Sequence, residues 1–202
     1  LNQLLGLPVT SFQERQQIRS KLETLTSTLR TRTASQCHSN PLTSWQVRIM
    51  SSLEARRKEC ESIAAHIQEL TSKLRSVAAY LKAEQTSAIQ LNEVASLPAQ
   101  PDENQWVSVA DAWERLHAKV AAATYDTSFT STHQVINSVV KAIDDAWQEL
   151  LAAHTAKDKP RFVKARSALT TSYEGLGNIN GENEKQLTIL VKAVDTAYRQ
   201  SF

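Results

Sequence analysis

Five cations fall within ten consecutive positions of this chain: Lys157, Lys159, Arg161, Lys164 and Arg166. One acid, Asp158, and one aromatic residue, Phe162, sit among them. On a helix, Lys157, Arg161 and Lys164 share a face. Three cations on one face are the arrangement that grips a phosphate backbone through salt-dependent contacts. These three residues are the candidate anion-binding set. The competing reading is a solvated helix start, where cations oppose the helix dipole at a small cost.

A second basic cluster, Arg56, Arg57 and Lys58, is flanked by Glu54, Glu59 and Glu61. The spacing predicts pairing of Glu54 with Lys58 and of Arg57 with Glu61 along one helix. The five histidines are His38, His66, His117, His133 and His154, and none forms an H-x-x-x-H pair. Cys37 beside His38 lacks the second ligand pair that a zinc site needs. Asp144 and Asp145 are adjacent, so on a helix they point about 100° apart and do not converge on a substrate. There is no G-x-S-x-G elbow. The glycines at 175, 177 and 181 precede no G-K-[ST] phosphate cradle. No catalytic residue, metal ligand, cofactor site or small-molecule substrate is assigned, and the chain reads as non-enzymatic.

Such residues are carried by helices. Positions 42–95 hold neither Gly nor Pro. Within them Cys60, Ile63, Ile67, Leu70, Leu74, Val77 and Leu81 recur at steps of three and four, the seam of a coiled coil. A single helix over this run would be about 80 Å long at 1.5 Å per residue. Arg56 and Glu84 interrupt the pattern where an apolar residue is due. A preceding helix is expected over 11–35, opened by a Ser11/Glu14 capping box and carrying Ile18, Leu22, Leu25 and Leu29. Pro98 and Pro101 end the long helix, and 96–105 reads as a linker.

Further helices are expected around Trp106, Val109, Trp113, Leu116 and Val120. Another carries Ile136, Val140, Ile143, Trp147, Leu150 and His154, after a break at 124–132 and a Ser131/Gln134 capping box. A short one spans 160–174 with Phe162, Ala165 and Leu169. The last carries Leu187, Leu190, Val191, Val194 and Tyr198, after a flexible Gly/Asn turn at 175–181. Trp45, Trp106, Trp113 and Trp147 all fall on apolar stripes and read as core anchors. A long helix shared between successive bundles is similar to the spectrin-repeat arrangement. The tryptophan spacings of 61, 7 and 34 positions do not recur, and that family is not assigned.

Composition agrees with an all-helical chain: 202 residues contain only 4 Gly and 5 Pro, and 41 % are apolar. The formal net charge of +2 gives no global field toward nucleic acid or acidic membrane. Up to Cys60 there are nine Lys and Arg against four acids, a balance of +5, leaving 14 against 17 beyond it, a balance of −3. Two cysteines suggest no disulfide framework and a reducing, cytoplasmic setting. No stretch approaches a membrane span, and no signal peptide is evident. The chain begins at Leu1 and its only Met is Met50, so it reads as a fragment of a larger protein.

The expected fold is all-α: an elongated antiparallel helical bundle or coiled coil of five or six helices around one long central helix. Residues 1–70 are expected to form a hairpin arm and 71–202 a helical bundle. The expected function is a structural or protein-interaction module, a scaffold, spacer or adaptor. It would bind a protein partner, or itself, through the apolar seam at Leu22, Leu25, Leu29, Ile49 and Leu53. Two alternatives stand beside it. One is a nucleic-acid-associated domain using Arg15, Arg19, Arg30, Arg32, Lys157, Arg161 and Lys164. The other is a helical accessory region of an enzyme.

Overall fold

The computed structural model describes residues 51–98 and 101–201, together with Thr24, Ser27 and Thr28. The described part is all-helical, and among the described residues there is no strand. In chain order the α-helices are α1 (Ser51–Ala95), α2 (Trp106–Ala122), α3 (Thr130–Thr155), α4 (Lys159–Glu174) and α5 (Leu176–Ser201). Two 3-10 turns, Glu103–Gln105 and Thr127–Phe129, lead into α2 and α3. Thr24, Ser27 and Thr28 are helical, in line with a helix over 11–35, whose other positions lie outside the described residues.

The helix α1 runs unbroken through all 45 of its residues. Nothing in its sequence breaks a backbone ladder, and its exposed face carries the expected pairs. Arg57 meets Glu61 at 2.8 Å and Lys58 meets Glu54 at 3.7 Å. Each such exposed pair contributes about 0.2–0.5 kcal/mol, so burial of the apolar stripe has to supply most of the stability.

The chain divides into two compact units. One takes in residues up to Leu81 and from Leu187 onward, and the other is Lys82–Gln186. In the first unit the seam of α1 is buried at Leu70, Leu74, Val77, Tyr80 and Leu81, as are Leu187, Val194 and Ala197 of α5.

In the second unit α2 packs on α3, and α3 on α4. The core is the set of stripes legible in the sequence: Val109, Trp113, Leu116 and Val120 of α2, and Ile136, Val140, Ile143, Trp147 and Leu150 of α3. Ala165 and Leu169 of α4, Phe129 ahead of α3 and Ile179 of α5 are buried as well. The second half of α1 joins this unit through Tyr125, whose hydroxyl donates to Gln90 Oε1 at 3.0 Å and accepts from Ser87 Oγ at 3.1 Å. Lys119 and Glu93 add an ion pair at 2.5 Å.

Two details depart from the sequence reading. The Ser131/Gln134 capping box does not open α3. Asp126 caps the preceding 3-10 turn by accepting the Ser128 N–H at 2.9 Å, and that turn runs directly into Thr130. The Ser131 hydroxyl instead donates to Glu182 Oε1 at 2.7 Å. Nor is 175–181 a flexible turn. Gly175 alone separates α4 from α5, and Gly177 and Gly181 lie inside α5. Tertiary contacts override the poor local propensity there. Ile179 and Asn183 are buried, and Glu182 is held by Ser131, Gln186 and Lys185.

Candidate functional site

The apolar seam is the first candidate. Leu22, Leu25, Leu29 and Ile49 lie outside the described residues, and Leu53 falls in α1 with its side chain outside them. The same stripe continues through described residues, and its burial is uneven. Leu70 and Leu74 are 1 % and 0 % exposed, Ile67 and Cys60 are half-buried, and Ile63 is 39 % exposed. The apolar spacing is unchanged along this stretch, so the difference in burial reflects what covers the helix rather than what it is made of.

The second candidate is the basic segment between α3 and α4. Lys157 is the residue that closes α3. It adopts a left-handed backbone with φ 56°, and Asp158 N donates back to Ala153 O at 3.0 Å. Asp158 then caps α4 by accepting the Arg161 N–H at 3.1 Å. The Arg161 guanidinium is engaged by Glu149 of α3 through two bonds, Nε to Oε1 at 2.6 Å and Nη2 to Oε2 at 2.8 Å. The hydrogen bonds from Arg161, more than its charge or that of Lys164, hold the Glu149 carboxyl below its ordinary range. The same bonds raise the Arg161 pKa above its ordinary value. Arg161 and Lys164 are thus both near Glu149, and the fork that would chelate a phosphate already chelates a carboxylate.

The third arrangement escaped the sequence reading. His117 of α2 donates through Nδ1 to Asp144 Oδ2 of α3 at 2.8 Å, and Asp144 is buried. Gln148 Nε2 stands 3.5 Å from the other carboxylate oxygen. A buried carboxylate that orients an imidazole is half of a catalytic relay. The other half, a nucleophile hydrogen-bonded to the ring, is missing among the described residues, and the pair acts as a polar pin between α2 and α3. Asp145, its neighbour, pairs instead with Lys141 at 2.5 Å, so the two carboxylates diverge as expected. His117 and Asp144 are 27 positions apart, and their only sequence signal is that each abuts a core position, Leu116 and Ile143.

His154 ends the apolar face of α3 in a small aromatic cluster. Its ring lies edge-on to Trp106 at 5.2 Å and near Phe162 at 6.1 Å, and Nε2 meets Glu103 Oε1 at 2.9 Å. Trp113 and Trp147 are buried as the sequence reading expects, while Trp106 is half-buried with its N–H donated to Pro101 O at 3.1 Å. Trp45 lies outside the described residues. Among the described residues no helix is long and apolar enough to cross a membrane, and no group of three or more His, Cys, Asp or Glu is placed to hold a metal ion. The chain matches no protein-family model, no curated protein and no solved structure.

Proposed function

We propose that this chain is a non-enzymatic protein-interaction module, a scaffold or spacer within a larger cytoplasmic protein or complex. In this reading five or six antiparallel helices gather around α1. A partner lays an amphipathic helix along the α1 seam, and flanking charges set the register. The observation that carries the reading is the uneven burial of one uninterrupted stripe, closed at Leu70–Leu81 and exposed at Ile63 between half-buried Cys60 and Ile67. Isolated exposed apolar residues are ordinary; an open segment continuous with a buried heptad seam is what a helix partner recognises. The excess of cations up to Cys60 favours a partner helix with acidic flanks. The engagement of Arg161 by Glu149 draws support away from the nucleic-acid alternative.

The test uses a photo-crosslinking residue at position 63 in the full chain, with a second at the buried position 74 as control. The expected result is a crosslink from 63 alone to one defined helix of another protein or of a second copy. Ile63→Glu should weaken that purified complex by at least tenfold while leaving the melting curve of the free chain within about 0.5 kcal/mol. Absence of any crosslink from 63, or equal binding by the variant, refutes the reading.

A further inference from the structure

Within the Lys82–Gln186 unit, four helices line a half-open pocket of about 310 Å³. Leu91 and Val94 of α1, Trp113 of α2, Tyr173 of α4, and Ile179 and Asn180 of α5 line it. Its size is at the lower end of small-molecule sites, which are mostly apolar with a few placed polar groups. No charged residue lines it, so a neutral occupant fits and an ion does not.

The polar groups around it are donors short of acceptors. The Tyr173 oxygen accepts the Trp147 N–H at 3.1 Å, and no described residue accepts the phenol's own proton. The Asn180 amide stands at the rim, exposed, and bonds to no described residue. Trp113 is 3 % exposed, and its indole N–H has no hydrogen-bond partner among the described residues; its ring meets Tyr173 edge-on at 5.6 Å. Buried N–H groups are rarely left unpaired, so the local hydrogen-bonding set is incomplete as it stands.

The helix α5 forms one wall of the pocket. Its first turns contain Gly177, Gly181, Asn178, Asn180 and Asn183, all weak helix formers. A Cβ built at Gly177 or Gly181 would meet nothing within 4 Å. The pocket is about half open to solvent, so a ligand can reach it without any unfolding of α5.

The geometry points to a binding site for a small neutral molecule, an apolar body of one or two rings whose carbonyl or ether oxygen accepts the Tyr173 hydroxyl proton. The residues involved are distinct from those of the α1 seam, and the two proposals stand or fall separately.

The probes are 2-acetylnaphthalene and 2-ethylnaphthalene, which match in size and differ in the oxygen. Each is titrated into the full chain and followed by fluorescence. The ketone is expected to saturate one site and to bind about three- to tenfold tighter than the hydrocarbon, the worth of one hydrogen bond. Tyr173→Phe should erase that difference. Leu91→Trp, which fills the cavity, should weaken both probes at least tenfold. Saturation with the ketone should also slow hydrogen exchange of the amides of 176–180. The comparison of the two probes on the unaltered chain needs no variant to fold. Failure of the ketone to saturate, or undiminished binding by the Leu91→Trp chain, overturns the proposal. So would displacement of the ketone by a tryptophan-bearing peptide together with no preference for the ketone over the hydrocarbon, since a partner's side chain would then be the occupant.

Discussion

Asp144 and Asp145 are neighbours in sequence and have opposite circumstances in the fold. Asp145 is exposed and pairs with Lys141 one turn away; Asp144 is buried and holds His117 on another helix. Removing an exposed acid that pairs along its own helix changes little, because solvent screens the pair and replaces it. Removing a buried acceptor leaves a donor without a partner, which costs about 1–3 kcal/mol. Asp144→Ala is therefore expected to destabilise by about 2 kcal/mol, against less than about 0.5 kcal/mol for Asp145→Ala. Urea unfolding of both variants checks this. A double-mutant cycle with His117→Ala should return a coupling near 1 kcal/mol. A coupling near zero would show that Asp144 matters through packing alone.

At the scale of helices, the ends carry the surprises. Lys157 sits where α3 closes in a left-handed conformation, a place that glycine fills without strain. An ordinary side chain there costs about 1–2 kcal/mol. Lys157→Gly is expected to stabilise the chain by about 0.5–1 kcal/mol, part of the gain being offset by the freer unfolded chain. The glycines near the α4–α5 junction separate by position. A Cβ at Gly175 would lie 2.9 Å from Ser172 O, whereas one at Gly177 or Gly181 meets open space. Gly175→Ala should therefore destabilise, while Gly177→Ala and Gly181→Ala should each stabilise by about 0.5–1 kcal/mol. Thermal melts of the three variants decide it, and a loss at 177 or 181 would mean that a turn, not a helix, lives there. This junction also marks where sequence reading stops. Stripes such as Val109, Trp113, Leu116 and Val120 were legible because burial repeats with the helical period. So was the start of α4, expected at 160 and found at Lys159. The helical state of Gly177 and Gly181 was not, because contacts from distant residues such as Ser131 impose it. The same holds for the candidate sites. The Glu54–Lys58 and Arg57–Glu61 pairs follow from spacing within one helix. The His117–Asp144 pin, the Glu149–Arg161 clasp and the cavity walls each combine residues from different helices, and no local pattern announces them.

For the molecule as a whole, acid is the condition that reads its electrostatic ties. Three carboxyls of the Lys82–Gln186 unit have pKa values lowered by what they bind. Asp126 is held by the Ser128 backbone N–H, Glu149 by Arg161, and Glu182 first by the Ser131 hydroxyl, then by Gln186 and Lys185. A carboxyl whose folded pKa lies below its unfolded value of about 4 binds fewer protons folded than unfolded. Its contribution is complete above that unfolded value and is lost as pH falls through the lower, folded one. Urea midpoints are therefore expected to fall between about pH 4 and pH 2 through these groups. Glu182 isolates one share of the effect. Its bond from Ser131 Oγ, 2.7 Å from Oε1, ties α5 to α3, while Gln186 Nε2, also 2.7 Å from Oε1, holds the carboxylate from within α5. Glu182→Gln removes the charge and keeps the shape, and at neutral pH it should cost about 1 kcal/mol, the worth of a charge-assisted bond at a partly exposed site. Once pH falls below the lowered folded pKa the natural carboxyl is itself protonated, and the two chains should unfold at the same urea concentration. The difference between them should thus close across the same interval in which the carboxyl titrates. A difference that stays constant from pH 7 to pH 2 would mean that Glu182 contributes through shape alone and that its charge does not help hold α5 to α3.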